Sequence, residues 1–321
     1  MQNVLITGAA GSLGASLASH IAQTGSYQVV GVDNLKTGKK TNLPQLSNFS
    51  FVKADVNDWR DISSVFLSNS FDFVFHYAAT VGVQRTLENP IDVLDDIKGI
   101  ENILKLCKSS TVRRVFFSSS SEVYGEPFEI PQRESTTPLN SRLPYAVVKN
   151  VGESYLRSYW KEFGLPYTIF RFFNTYGPLQ SHDFVISKFL RNALAGEDIH
   201  LYGGGGQTRT FCYVNDNMEF TTSLLQEGLG LNETFNVGSD VVITIRELAE
   251  TVIELTGSTS QLVDLPPLPE GDMTRRCPDI SRMRSILGRE LTSLTEGLSA
   301  VLAHPRWNSG LTGDFESSVQ S

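Results

Sequence analysis

The strongest constraint on this chain is a glycine-spaced turn between an apolar run and an amphipathic one. Thr7–Gly14 reads TGAAGSLG, with glycines at 8, 11 and 14. Asn3–Thr7 before it has strand composition. After it, Leu13, Leu17 and Ile21 recur every four residues, as one face of a helix does. In such a strand–turn–helix, Gly8 makes the tight turn, Gly11 admits a pyrophosphate to the backbone, and Gly14 lets helix and strand pack closely. The helix start at Ser12 and Leu13 offers free N–H groups and a positive dipole end to an anion. Three glycines alone mark only a turn; the flanking elements and a following acid carry the reading. That acid is Asp33, in Val32-Asp33-Asn34, 19 residues after Gly14. A carboxylate there accepts hydrogen bonds from a ribose and repels a 2′-phosphate. The spacing therefore predicts a dinucleotide site that takes NAD, with Lys36 nearby as the opposing signal.

Strand-length apolar runs alternate with helix-period segments as far as residue 180 or so. Gln28–Asp33, Phe49–Ala54, Phe71–Ala79, Arg114–Ser118 and Pro166–Phe172 continue the strand series. Continuous apolar strands between helices predict a Rossmann-type, doubly wound parallel sheet covered on both faces. After Pro178 the pattern changes to helices near 184–195, 215–228, 244–256 and 295–303, with short strands and a proline-rich stretch at Leu262–Pro269. The expected organisation is a dinucleotide-binding domain over 1–178 that includes the catalytic residues. A smaller α/β substrate lobe follows over 179–307, above the carboxyl edge where open α/β sheets bind ligands, and a polar tail covers 308–321.

Composition narrows the partners. The 321 residues carry a formal charge of −8, and basic residues cluster only as Lys39-Lys40, Arg113-Arg114 and Arg275-Arg276. A nucleic-acid-binding surface is not expected. Cys107, Cys212 and Cys277 are odd in number and far apart, and the five histidines show no paired spacing, so neither a disulfide framework nor a metal site is expected. No apolar run reaches a membrane span, and the first residues carry no signal-type stretch, which points to a cytoplasmic protein.

A second constellation lies downstream. Ser118–Gly125 reads SSSSEVYG, Tyr145 follows Ser120 by 25 residues, and Lys149 stands four after Tyr145. At i and i+4 on a helix the last two share a face. An ammonium beside a phenol, together with a nicotinamide cation, favours the phenolate, so Tyr145 is expected to take a hydroxyl proton while hydride leaves for NAD, with Ser120 holding the same hydroxyl. By itself the Tyr-x-x-x-Lys spacing also fits a surface tyrosine near a solvated lysine; its place after the glycine turn favours the catalytic reading.

These motifs occur in an order that resembles the extended short-chain dehydrogenase/reductase family, in its nucleotide-sugar epimerase, dehydratase and decarboxylase group. His76-Tyr77-Ala78-Ala79, Arg171-Phe172-Phe173-Asn174-Thr175-Tyr176-Gly177-Pro178 and Gln207-Thr208-Arg209-Thr210-Phe211 extend the match over almost the whole chain. The resemblance implies a cofactor set of Gly8, Gly11, Ser12, Leu13, Gly14, Asp33 and Asn34, with Asp55 and Val56 beside the adenine. Ala78, Ala79, Tyr145 and Lys149 complete that set. It implies that Asn174 and Arg209 grip the diphosphate of a UDP-sugar, with Leu201 and Tyr202 beside the base. Thr80, Val81, Gly82, Ser120, Ser121 and Glu122 surround the sugar in this reading, and Arg275 and Arg276 approach it from the other lobe. Tyr202 fits a core aromatic equally well, and Arg209 a surface cation. Asp96 is a departure, standing where the family often has Asn.

Glu122 separates the possible reactions. The resembling 4-epimerases usually have a neutral residue there, 4,6-dehydratases an Asp-Glu pair, and UDP-glucuronate decarboxylases Ser-Glu; this chain has Ser121-Glu122. Glu122 as a turn-capping acid is the plain alternative. A C4 ketone acidifies the C5 hydrogen, so a carboxylate near C5 can remove that proton and expel the 6-hydroxyl. Return of hydride to C4 then leaves a 5,6-ene sugar. The resemblance in this respect is to UDP-N-acetylglucosamine 5,6-dehydratases of antibiotic (tunicamycin) biosynthesis. The decarboxylase alternative rests on Ser121-Glu122 and on Arg276, placed to meet a sugar carboxylate; phosphate binding is the other use for Arg275 and Arg276. An epimerase is the third alternative and a silent NAD-binding regulator the fourth. The family further implies a homodimer through helices near 88–108 and 143–162.

Overall fold

The computed structural model describes residues 1–82, 86, 88–267 and 276–308. Its centre is a seven-stranded parallel sheet. The first strand, β1 (Gln2–Thr7), leads through the glycine turn into α1 (Ser12–Gln23). β2 (Tyr27–Asp33), β3 (Phe49–Lys53), α2 (Trp59–Ser68), β4 (Phe73–His76) and α3 (Pro90–Lys108) follow. Then come β5 (Arg114–Ser120), α4 (Pro144–Phe163) and β6 (Tyr167–Phe172).

Beyond residue 172 lie β7 (Thr175–Tyr176), α5 (Val185–Ala195), β8 (Ile199–Tyr202), β9 (Thr208–Thr210), β10 (Cys212–Tyr213) and α6 (Val214–Gln226). The remaining elements are β11 (Glu233–Val237), β12 (Val242–Thr244), α7 (Ile245–Thr256), β13 (Leu262–Leu265), α8 (Ser281–Leu287) and α9 (Leu294–Ala303). The sheet order is β11-β6-β5-β4-β1-β2-β3. Strand order reverses at β1, so the carboxyl ends of β1 and β4 part there and open a crevice.

The doubly wound fold is as expected, and most strand bounds lie within one or two residues of those read from the sequence. The Phe71–Ala79 run is the exception. Only Phe73–His76 is strand, because beyond His76 the backbone turns to the Thr7 hydroxyl, which accepts the amides of Tyr77 and Ala78 at 3.2 Å each. The large sheet also extends past residue 178. β11 pairs with β6 in parallel from Glu233↔Thr168 to Val237↔Phe172. Its Phe235 and Val237 are fully buried, and burial of this kind holds an added strand in place.

Three small two-stranded ladders, β7 with β10, β9 with β12 and β8 with β13, complete the strand pairing among the described residues. Close approach positions α4. A Cβ on Gly152 would strike the Phe117 ring on β5, so the helix lies flush on the strand that ends in the serines. Late residues reach back to the first turn: Arg306 Nη1 donates to Asn42 Oδ1 at 2.8 Å, and Asn42 Nδ2 donates to the Ala10 carbonyl at 2.8 Å. Among the described residues no helix is long and apolar enough to cross a membrane.

Candidate active site

A cleft of about 600 Å³ runs along the carboxyl edge. Its floor at one end is the glycine turn. Gly8 has φ +71°, and a Cβ there would lie 2.7 Å from the Ala78 amide nitrogen, so no other residue suits this turn. α1 starts at an N-cap, Gly11, that has no side-chain cap, which leaves its first N–H groups facing the cleft. Asp33 closes β2, and its two oxygens are already engaged. Oδ2 accepts the Ala10 amide at 3.0 Å and Oδ1 the Leu35 amide at 2.7 Å. It thus ties the glycine turn down as well as presenting a charge. Asn34 Nδ2 donates to Asp55 Oδ2 at 3.0 Å and fixes the next wall.

At the other end α4 brings Tyr145 and Lys149 to the serines of β5. Lys149 is buried and donates to the Ser118 carbonyl at 2.6 Å; its nitrogen lies 5.7 Å from the Tyr145 ring centroid. Burial pulls this ammonium down to about 8, with Asp96 opposing the drop. Ser120 hydrogen-bonds the Tyr145 phenol, yet burial pushes that phenol above its ordinary value, and the charges of Glu122 and Asp96 push the same way. The polypeptide by itself does not lower the phenol; the expected lowering is by Lys149 together with a nicotinamide cation. Desolvation outweighs the lowering by the Ser120 hydrogen bond and the Arg276 charge. Tyr145 becomes a base only where further positive charge joins Lys149.

Ser120 Oγ also caps the turn that carries Glu122, accepting the Glu122 amide at 3.2 Å. The Glu122 side chain meets Arg276 at 2.7 Å (Oε1 to Nη2), and Arg276 Nη1 reaches Ser121 Oγ at 3.3 Å. Glu122 Oε2 is buried and has no protein partner.

The cleft brings together nearly every residue expected from the sequence: Gly8, Gly11, Ser12, Leu13, Gly14, Asp33, Asn34, Asp55 and Val56 at the turn end. Ala78, Ala79, Thr80, Val81, Gly82, Ser120, Ser121, Glu122, Tyr145, Lys149, Asn174 and Arg276 line the rest. Three are not brought to its surface. The Leu201 side chain is fully buried in the hydrophobic core, because β8 packs against β13, α5 and α7. Tyr202 pairs with Leu265 at the end of β13, and its carbonyl accepts from Gln207. Arg209 folds back, with Nη1 donating to the Thr208 carbonyl at 2.7 Å. Arg275 and residues 309–321 lie outside the described residues.

Sequence reasoning did not single out Asn57, Gln180, Phe184 or Phe211, which also line the cleft. Phe211 ends a motif that was read, but nothing in the letters shows which of its side chains turns inward. The network behind the serines also went unread. Ser119 Oγ donates to Glu153 Oε1 at 2.7 Å. Arg171 grips the same carboxylate from Nε at 2.9 Å and Nη2 at 2.7 Å. Arg171 Nη1 further donates to Tyr124 Oη at 2.8 Å, which donates to Asn236 Oδ1 at 2.7 Å.

Known proteins share this arrangement. The profile of the NAD dependent epimerase/dehydratase family matches residues 4–238. The chain belongs to that family. A UDP-N-acetyl-alpha-D-glucosaminuronate decarboxylase of Bacillus cytotoxicus is 35% identical over 88% of this chain and 90% of its own length. The crystal structure of the UDP-glucose 4-epimerase of Thermotoga maritima with UDP-glucose superposes with a TM-score of 0.88 at 31% identity, covering 94% of this chain and 97% of the other. The Thermus thermophilus UDP-glucose 4-epimerase in complex with NAD gives 0.86 at 28% identity, covering 94% and 98%.

Like the rest of the epimerase/dehydratase family, this is an NAD-dependent enzyme of nucleotide-sugar modification, of the extended short-chain dehydrogenase/reductase type. Its own residues fit the cofactor. The uncapped start of α1 suits a pyrophosphate, and the Asp33 carboxylate suits an unphosphorylated ribose.

Proposed function

We propose that this enzyme decarboxylates a UDP-uronic acid after transient oxidation of the C4 hydroxyl. One observation carries the reading: Arg276, buried in the wall of the cleft, points its guanidinium at Glu122 and Ser121. A guanidinium there matches a planar sugar carboxylate, whereas an uncharged 6-hydroxyl gives it no charge to pair with. The named activity of the Bacillus relative supports the same choice.

The glycine turn and Asp33 would hold NAD, which would supply the acceptor and later the donor of the C4 hydride. Tyr145 takes the C4 hydroxyl proton, Ser120 orients that hydroxyl, and Lys149 holds positive charge beside the phenol. The C4 ketone makes the C6 carboxylate a β-keto acid, so the C5–C6 bond breaks with its electrons entering the enolate. Arg276 orients the carboxylate before it leaves, and C5 takes up a proton that comes from solvent and is relayed by the free oxygen of Glu122. Asn174, just after β6, faces the diphosphate.

The 5,6-dehydratase expected from the sequence, of the kind used in antibiotic biosynthesis, is the second reading. It rests on the same unpartnered Glu122 Oε2, aimed to remove a C5 proton. Incubation with a panel of UDP-sugars, followed by mass analysis, separates the readings. Loss of carbon dioxide from UDP-glucuronate or its N-acetylamino analogue supports the first, and loss of water from UDP-N-acetylglucosamine replaces it with the second. Conversion without mass change assigns a 4-epimerase instead. Tyr145→Phe should process none of them while still holding NAD.

We also infer a homodimer that works in the cytoplasm, in keeping with three unpaired thiols. α3 and α4 leave Ile91, Leu94, Val147 and Trp160 exposed, an apolar face that a second copy covers. Sedimentation should give a dimer that Trp160→Glu weakens; a wild-type monomer at micromolar concentration rejects the assignment.

A further inference from the structure

We propose that Asp96 is the counter-charge that allows this cleft to hold its nicotinamide cofactor in the oxidised, cationic form. Asp96 projects from α3 into the cleft, and its carboxylate is fixed from two sides. Oδ2 accepts the Thr80 amide at 2.6 Å, and Oδ1 accepts Asn57 Nδ2 at 3.3 Å. These partners belong to the segments after β4 and after β3, so the side chain cannot swing away without releasing both walls.

Among the described residues the charges around it are few. At the reacting end stand the Lys149 ammonium, the Glu122–Arg276 pair and Asp96, with Tyr145 neutral among them. Toward the ribose end, Lys36 pairs with Asp92 at 3.0 Å, and Asp55 is engaged by Asn34. Among the described residues Glu122 and Arg276 cancel, which leaves Lys149 and Asp96 to balance each other. Asp96 also opposes the burial that pulls Lys149 down. With Asp96 neutralised, the reacting end carries one unmatched positive charge.

The oxidised nicotinamide ring is a cation and the reduced ring is neutral. An unmatched positive charge therefore penalises NAD⁺ and leaves NADH almost untouched. A unit charge within about 10 Å, at an effective dielectric constant of about 20, changes that preference by about tenfold. If Asp96 only held Thr80 and Asn57 in place, its loss would weaken both forms alike.

The test is a competition. The full-length protein is equilibrated with NAD⁺ and NADH in fixed proportion, separated by gel filtration, and the bound ratio is read from the dihydronicotinamide absorbance. Asp96→Asn, which keeps the shape and loses the charge, should lower the bound NAD⁺:NADH ratio by about tenfold, while Asp96→Glu should keep it. Lys149→Met should raise the ratio by a similar factor, and the Asp96→Asn/Lys149→Met double variant should return to the wild-type value. An unchanged ratio in Asp96→Asn overturns the proposal, as does equal weakening of both forms. Should Asp96→Asn fail to fold, Lys149→Met alone decides, because a ratio that stays level or falls in it removes the charge balance.

Discussion

Single residues near the cleft do more than their motif roles suggest, and His76 shows how. It sits at the end of β4, fully buried, with its ring stacked on Phe117 at 6.0 Å. The Thr7 hydroxyl already accepts two backbone amides, so its proton goes to His76 Nδ1 at 2.9 Å, and the imidazole must be neutral with its own proton on Nε2. Burial first, and the Lys149 charge second, push its pKa from 6.5 down to about 3. The native state therefore refuses a proton that the unfolded chain binds. The stability this gives is present above pH 6.5 and is lost as pH falls toward about 3. We expect the wild type to lose about 2 kcal/mol from this site by about pH 5, and His76→Gln to lose less over the same interval. Urea midpoints at the two pH values check this; parallel losses in both proteins would remove His76 from the account.

At the scale of elements, the decisive contact is that of α4 with β5 and β6. Glu153 lies one turn beyond Lys149 and is fully buried. Burial alone would push its carboxyl up, but bonds from Arg171 and Ser119 and the charge of Arg157 hold it below the ordinary value. Glu153→Gln leaves the buried Arg171 without its anion and should cost about 3–5 kcal/mol in urea unfolding. A loss under about 1 kcal/mol would mean the network carries little. The sequence made some of this contact legible and hid the rest. Helix period and the Tyr145/Lys149 spacing foretold a shared face, and the serine run foretold the strand end opposite. Glu153 and Arg171 stood inside segments that were read, yet a charged residue on a helix or strand usually points to water. Only packing, with Gly152 drawing α4 onto Phe117, turns both inward. That Leu201 and Tyr202 do not line the cleft has the same origin. Their motif neighbours were recognised, but which residue of a short strand faces the core depends on a partner strand, β13, that lies 60 or so residues away.

Across the whole molecule, the first turn is held by the last described segment. Arg306 bonds Asn42, and Asn42 bonds the carbonyl of Ala10 inside the glycine turn. Trp307 Nε1 anchors the same segment on the Pro178 carbonyl at 3.0 Å. Arg306→Ala should speed NAD dissociation by about threefold to tenfold, the net worth of one hydrogen bond. Stopped-flow release of the dinucleotide measures it. A variant with unaltered release and only a lower melting temperature would show the tie to be structural. The tie joins residues 264 positions apart, and a ribosome delivers the early ones first. During synthesis the nascent glycine turn must wait, with one restraint missing, until Arg306 emerges. Firm capture of the dinucleotide thus waits until Arg306 has been made, and a ribosome stalled just short of that codon should carry a chain that folds its sheet but lets the cofactor go.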